Sequence, residues 1–108
     1  LSILDAIALE LVPLERILRV EGHTDETPMG GGDRYRNNWD LSAARAATVV
    51  TYLEAAHRAR PELLQAVGLG SAHPVTSGET PEARERNRRV EMVIELDPHD
   101  ELLGTGLE

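Results

Sequence analysis

The 108-residue chain has no cysteine, no phenylalanine and no lysine, and aromatic residues make up only 3% of it. Without cysteine there is no disulfide framework and no thiolate metal site, and both cytosol and periplasm stay open as compartments. With so few aromatics, the core must be built from Leu, Val, Ile and Ala. No apolar run approaches the roughly 20 residues that cross a bilayer. Positive charge is also scarce: 11 basic against 19 acidic side chains leave a net charge of −8 and a pI of 4.9. That balance excludes nucleic acid as a partner, which demands a basic face. All the basic residues are arginine, which reads as genome composition bias. The chain starts at Leu1 with no charged-then-apolar leader, so it reads as an excised piece. Any membrane contact is expected through an upstream segment.

What is present suits one globular domain: 41% hydrophobic and 28% charged residues, neither disordered nor low-complexity. Residues 2–10 place Ile3, Ala6, Ile7 and Leu11 at helical spacing before Pro13. Residues 16–21 form a β-prone run ended by Gly22. A polar stretch from Thr24 to Asn38, broken by Pro28 and the run Gly30–Gly32, reads as a long loop with a flexible tip. Asp40 or Ser42 can cap the helix that follows, in which Ala46, Val49, Val50, Leu53 and Ala56 make an apolar stripe up to about Arg60. Residues 64–69 read as a second strand, Thr80-Pro81 as the start of a short helix, and 88–96 as a half-exposed strand. Val90, Met92, Ile94 and Leu96 alternate along it with Glu91, Val93 and Glu95. This order predicts an α/β (α+β) two-layer sandwich, a small sheet with helices on one face. Residues 1–96 form the domain, and 97–108 read as a tail.

Few residues point to chemistry on their own. His23 and Asp25 leave a strand end, where ligands commonly sit in open α/β sheets. A zinc site would require more donors at defined spacing, so His23 is expected to be structural, its ring hydrogen-bonded to backbone. There is no GxSxG elbow and no cysteine nucleophile, and MGGGD lacks the ending of a phosphate loop. Neither catalysis nor a cofactor is expected. Asp25 at the start of the loop and Arg45 on the following helix set opposite charges around one corner. They form either an internal salt bridge or a site.

Four ordered blocks narrow the choice: Val20-Glu21-Gly22-His23-Thr24-Asp25; Asn38-Trp39-Asp40-Leu41-Ser42-Ala43-Ala44-Arg45-Ala46; Gly68-Leu69-Gly70 with Pro74; and Asn87-Arg88-Arg89-Val90-Glu91. Together they resemble the OmpA-like peptidoglycan-binding domain over residues 3–96, and the second block with its long preceding loop is most like the MotB branch, the stator subunits of flagellar motors. The resemblance implies a small mixed sheet and a noncovalent grip on diaminopimelate in the cell-wall stem peptide. Asp25 would accept the ammonium of that residue and Arg45 would hold its carboxylate. Asn38, Leu41 and Ser42 would shape the pocket. Arg89, or its neighbour Arg88, would add a contact or else pair with an acidic loop residue. The implied protein is a periplasmic wall anchor of a membrane-linked machine, monomeric or homodimeric. A lipoprotein or secretion-system anchor is the alternative within the class, and a wall hydrolase or a dimerisation module the alternative outside it. The family normally opens with a strand that is missing here. Trp39 is expected to pack the long loop down.

Overall fold

The computed structural model describes residues 2–29 and 34–96. The glycine run Gly30–Gly32 and the tail 97–108 lie outside the described residues. In chain order the elements are α1 (Ile3–Leu11), β1 (Leu18–His23), α2 (Asn38–His57), β2 (Leu64–Gly68), α3 (Pro81–Asn87) and β3 (Arg89–Ile94), with single 3-10 turns at Val12–Leu14 and Pro61–Leu63. The sheet is mixed, in the order β2-β1-β3. β1 runs parallel to β2 and antiparallel to β3. This is the expected two-layer α/β arrangement, with α2 lying across β1 and β2.

Local chemistry sets the boundaries. Ser2 caps α1, its hydroxyl oxygen accepting from the Asp5 amide. Neither Asp40 nor Ser42 caps α2. Asn37 does so, accepting from the Asp40 amide at 2.9 Å, while Asp40 sits in the first turn and Ser42 is buried. α2 stops at His57, short of Arg60, because Arg58 adopts a left-handed conformation and the Leu53 carbonyl accepts from both Arg58 and Ala59. Thr80 caps α3, with Pro81 in its first turn as expected.

Strand alternation sends Leu18, Val20 and Gly22 of β1 towards the helices, in register with Ile94, Met92 and Val90 of β3. The core is aliphatic: Ala8, Leu18, Val20, Ala46, Leu53 and Ala59, with Leu4, Leu11, Val49, Val50, Leu64, Met92 and Ile94 packed around them. Two expectations shift here. On α1 the inward stripe is Leu4, Ala8 and Leu11, and Ile3 is 81% exposed. On β3, Met92 and Ile94 reach the core, whereas Val90 is exposed, as is Leu96 beyond the strand's end.

Two glycines set the height of α2 above the sheet. Gly22 and Gly68 are register partners on adjacent strands. A Cβ on Gly22 would fall 2.1 Å from the Ser42 carbonyl oxygen, and one on Gly68 would fall 2.5 Å from the Ala43 nitrogen. The first turns of α2 therefore rest directly on strand backbone, over the end of β1 that leads into Asp25.

Candidate functional site

The chain leaves β1 still tied to the segment after β2. The Thr24 amide donates to the Gly70 carbonyl at 2.9 Å, and the Leu69 amide donates to the Gly22 carbonyl at 3.0 Å. Ser42, fully buried, joins the same corner: its hydroxyl donates to the Trp39 carbonyl and accepts from the Gly70 amide at 2.9 Å. Gly70 has a φ of 55°, and the Trp39 indole lies over it. Trp39 thus packs on Gly70 and stays 56% exposed.

Asp25 is 8% exposed and both of its oxygens are held. Oδ1 accepts from the Thr27 amide at 2.8 Å, closing an Asx turn. Oδ2 accepts from Arg88 Nη1 at 2.6 Å. Asn38, the first residue of α2, donates from Nδ2 to the carbonyls of Asp25 (3.3 Å) and Thr27 (3.1 Å). Burial works to raise the Asp25 pKa, but the Arg88 hydrogen bond, the Thr27 bonds and the Arg88 charge outweigh it and hold the carboxyl below its usual range. The group is a carboxylate at neutral pH.

Arg45 is not its partner. It is exposed and makes no ion pair among the described residues. It lies seven residues beyond Asn38 and four beyond Leu41, on the same side of α2 and about 10 Å along the axis from Asn38. Helical side chains lean towards the N-terminus, so Arg45 inclines back towards the Asn38–Asp25 corner. Leu41 is half-buried on that side. Among the described residues, then, Asp25 and Arg45 are not paired with each other.

Arg88 and Arg89 divide differently from the expectation that favoured Arg89. Arg89 spends its donors within the fold: Nε on Glu91, Nη1 on the Asn87 carbonyl at 3.2 Å, and Nη2 on the His73 carbonyl at 2.9 Å. Arg88, at the junction of α3 and β3, is the one that reaches Asp25. Sequence reasoning missed the residue that sets this junction. Asn87 is buried, accepts from the Val75 and Thr76 amides and donates to the Thr76 carbonyl, fastening the 70–80 turn to the end of α3. This buried, bonded amide holds the chain one residue before the pair of arginines, where the two part. His23 also departs from expectation, since neither ring nitrogen has a hydrogen-bond partner among the described residues.

Fold and corner together define a small α/β domain with a buried carboxylate, Asp25, just beyond the C-terminal end of its central strand and an exposed guanidinium, Arg45, on the helix above. Residues 2–88 match the OmpA family, and the chain belongs to that family. Among curated proteins it is 40% identical over 95 residues to the peptidoglycan-binding protein ArfA of Mycobacterium tuberculosis, covering 86% of this chain and 27% of ArfA. Among solved structures it superimposes on the C-terminal domain of Helicobacter pylori MotB with a TM-score of 0.78 at 27% identity, covering 97% of this chain and 83% of that one. It matches the cell wall anchor of the T6SS from Pseudomonas aeruginosa with a TM-score of 0.76 at 35% identity, covering 87% and 64%. The chain spans 27–38% of the length of several curated relatives it matches.

Proposed function

We propose that this domain binds peptidoglycan without cleaving it, through the diaminopimelate of the stem peptide, and anchors a membrane-linked protein in the periplasm. The observation that carries the reading is the separation of charges: Asp25 is held ionised, while Arg45 on α2 is exposed and makes no ion pair among the described residues. The free end of diaminopimelate carries an ammonium and a carboxylate on one carbon. Asp25 accepts from the ammonium, and Arg45 grips the carboxylate with its planar fork. Asn38 and Ser42 keep the corner rigid, and Leu41 supplies an apolar wall. Arg88 orients the Asp25 carboxylate.

Each charge-assisted hydrogen bond contributes roughly 1.5–3 kcal/mol net. A few of them leave only modest affinity once association costs are subtracted. A wall that presents many stems rewards a tethered or paired binder through effective concentration. Likeness to both MotB and a T6SS wall anchor supports the anchoring role, with a flagellar stator as the first parent machine and a secretion system as the second.

The test is co-sedimentation with purified sacculi. Wild type is expected to pellet, and Asp25→Ala and Arg45→Ala are expected to stay folded and remain in solution. Lysine-type walls lack the second carboxylate and should retain the wild type more weakly. Equal pelleting of all three proteins would overturn the site, and release of soluble wall fragments by the wild type would replace binding with hydrolysis.

A further inference from the structure

The sheet face turned away from α2 carries a cluster that the proposed ligand site does not use. Arg19, Glu21 and His23 alternate outward on β1, while Arg89 and Glu91 share that face on β3. Glu21 stands directly opposite Glu91, and His23 opposite Arg89. Like charges in that position oppose each other. Each glutamate is also held by an arginine, Glu21 Oε2 by Arg19 Nε at 2.7 Å and Glu91 Oε2 by Arg89 Nε. His23 lies between them, its Nε2 3.7 Å from Glu21 Oε1 and 3.7 Å from Glu91 Oε2. Those separations are too long for hydrogen bonds. The residue is only 2% exposed and both ring nitrogens lack a partner among the described residues, a costly state for a buried imidazole. Burial, then the Arg89 charge and to a lesser extent His73, lower its pKa against the pull of Glu91 and Glu21, so the ring is neutral and its lone pair free.

We infer that Glu21, His23 and Glu91 form a divalent-cation site suited to zinc, spanning β1 and β3. One ligand atom from each residue lies within 4.8 Å of the others. Zinc takes imidazole nitrogen and carboxylate oxygen at about 2.0–2.2 Å, which in tetrahedral geometry places the donors about 3.4 Å apart. The 3.7 Å separations from the His23 nitrogen therefore need to close by only a few tenths of an ångström. Three protein donors and a water complete the coordination. Arg19 holds the Glu21 oxygen other than the one nearest His23 and so orients that ligand, whereas Arg89 holds the same Glu91 oxygen that approaches the ring, which the ion would have to share or replace with Oε1. Their charge also repels the ion, so the expected affinity is modest. Asp25 follows β1 by two residues and Arg88 immediately precedes β3, so the ion would clamp the strands that carry this ion pair.

Chelator-treated protein titrated with zinc chloride, followed by calorimetry and thermal unfolding, tests this. The wild type should take up a single ion per chain, with a melting temperature that rises with zinc as linkage requires. Glu21→Gln/Glu91→Gln keeps the side-chain shapes and an oxygen for each arginine. This double variant, shown folded by circular dichroism, should bind about tenfold or more weakly. The ring-nitrogen resonances of His23 should shift on zinc addition while those of His57 stay in place. Absence of zinc binding at millimolar metal overturns the inference, as does equal affinity in the two proteins.

Discussion

Asp5 shows how one side chain couples distant parts of the chain. Its Oδ1 accepts from the Tyr52 hydroxyl at 2.5 Å and lies 2.7 Å from His57 Nε2, and Ser2 Oγ donates to Oδ2 at 2.8 Å. These bonds, Tyr52 first, then His57 and Ser2, hold the carboxyl well below the usual carboxylate range. A folded pKa that is lowered contributes stability above the unfolded value, about 3.9, and that stability is lost as pH falls through the folded one. Urea midpoints of wild type and Asp5→Asn should therefore differ most near neutrality. The gap should narrow from about pH 4 downward. A gap that stays constant from neutrality to about pH 3 would contradict this role. Asp25 has its carboxylate set the same way by a different partner, Arg88, and that assignment also lives at the scale of single side chains. The double arginine is legible in the sequence. Which member turns to Asp25 depends on how the Asn87 amide is spent.

Between elements, the contact that positions the site is α2 on β1 and β2. Helix and strand meet through backbone, with Gly22 beneath Ser42 and Gly68 beneath Ala43. Gly22→Ala would put a methyl 2.1 Å from the Ser42 carbonyl oxygen, so α2 must lift or tilt. Overpacking of this kind costs typically about 1–3 kcal/mol and more when backbone has to move. We expect Gly22→Ala to lower the unfolding free energy by about that much, read as a lower urea midpoint at unchanged m, and to weaken sacculus pelleting in the population that remains folded, because Asn38 and Arg45 move with the helix. An unchanged midpoint would show that the helix stands further off. The sequence marks both glycines within recognisable blocks, but spacing alone does not say that they face the same helix. α1 shows the limit of periodicity. Ile3 and Ile7 form one apolar stripe, Leu4, Ala8 and Leu11 another, and only the position of α2 selects the second.

Across the whole molecule, stability rests on a small aliphatic core. Leu53, the largest fully buried side chain among the described residues, lies on α2 in the core cluster. Leu53→Ala should cost about 2–5 kcal/mol, read from two-state denaturation. A loss under about 1 kcal/mol would mean that the core collapses around the gap. The apolar face this core requires explains why the outer sheet face can carry Arg19, Glu21, His23, Arg89 and Glu91. Among the described residues, α1 and α2 pack on the inner face, and the charged side chains lie on the other.

Element order, the half-polar last strand and the aliphatic core follow from local chemistry: apolar period, capping residues and turn residues, while Asp25 and Arg45 are singled out by ordered motif blocks. Such features depend on neighbours a few positions away, and the chain order carries them whole. Tertiary structure alone decided that Arg88 and not Arg89 meets Asp25, that Asn37 and not Asp40 caps α2, and that His23 stands without a hydrogen bond between two glutamates. It also decided which stripe of α1 is buried. Each of these is a competition between near-equivalent groups, often dozens of residues from their partner. Such a competition is settled by which group the packed helix and paired strands leave within bonding distance.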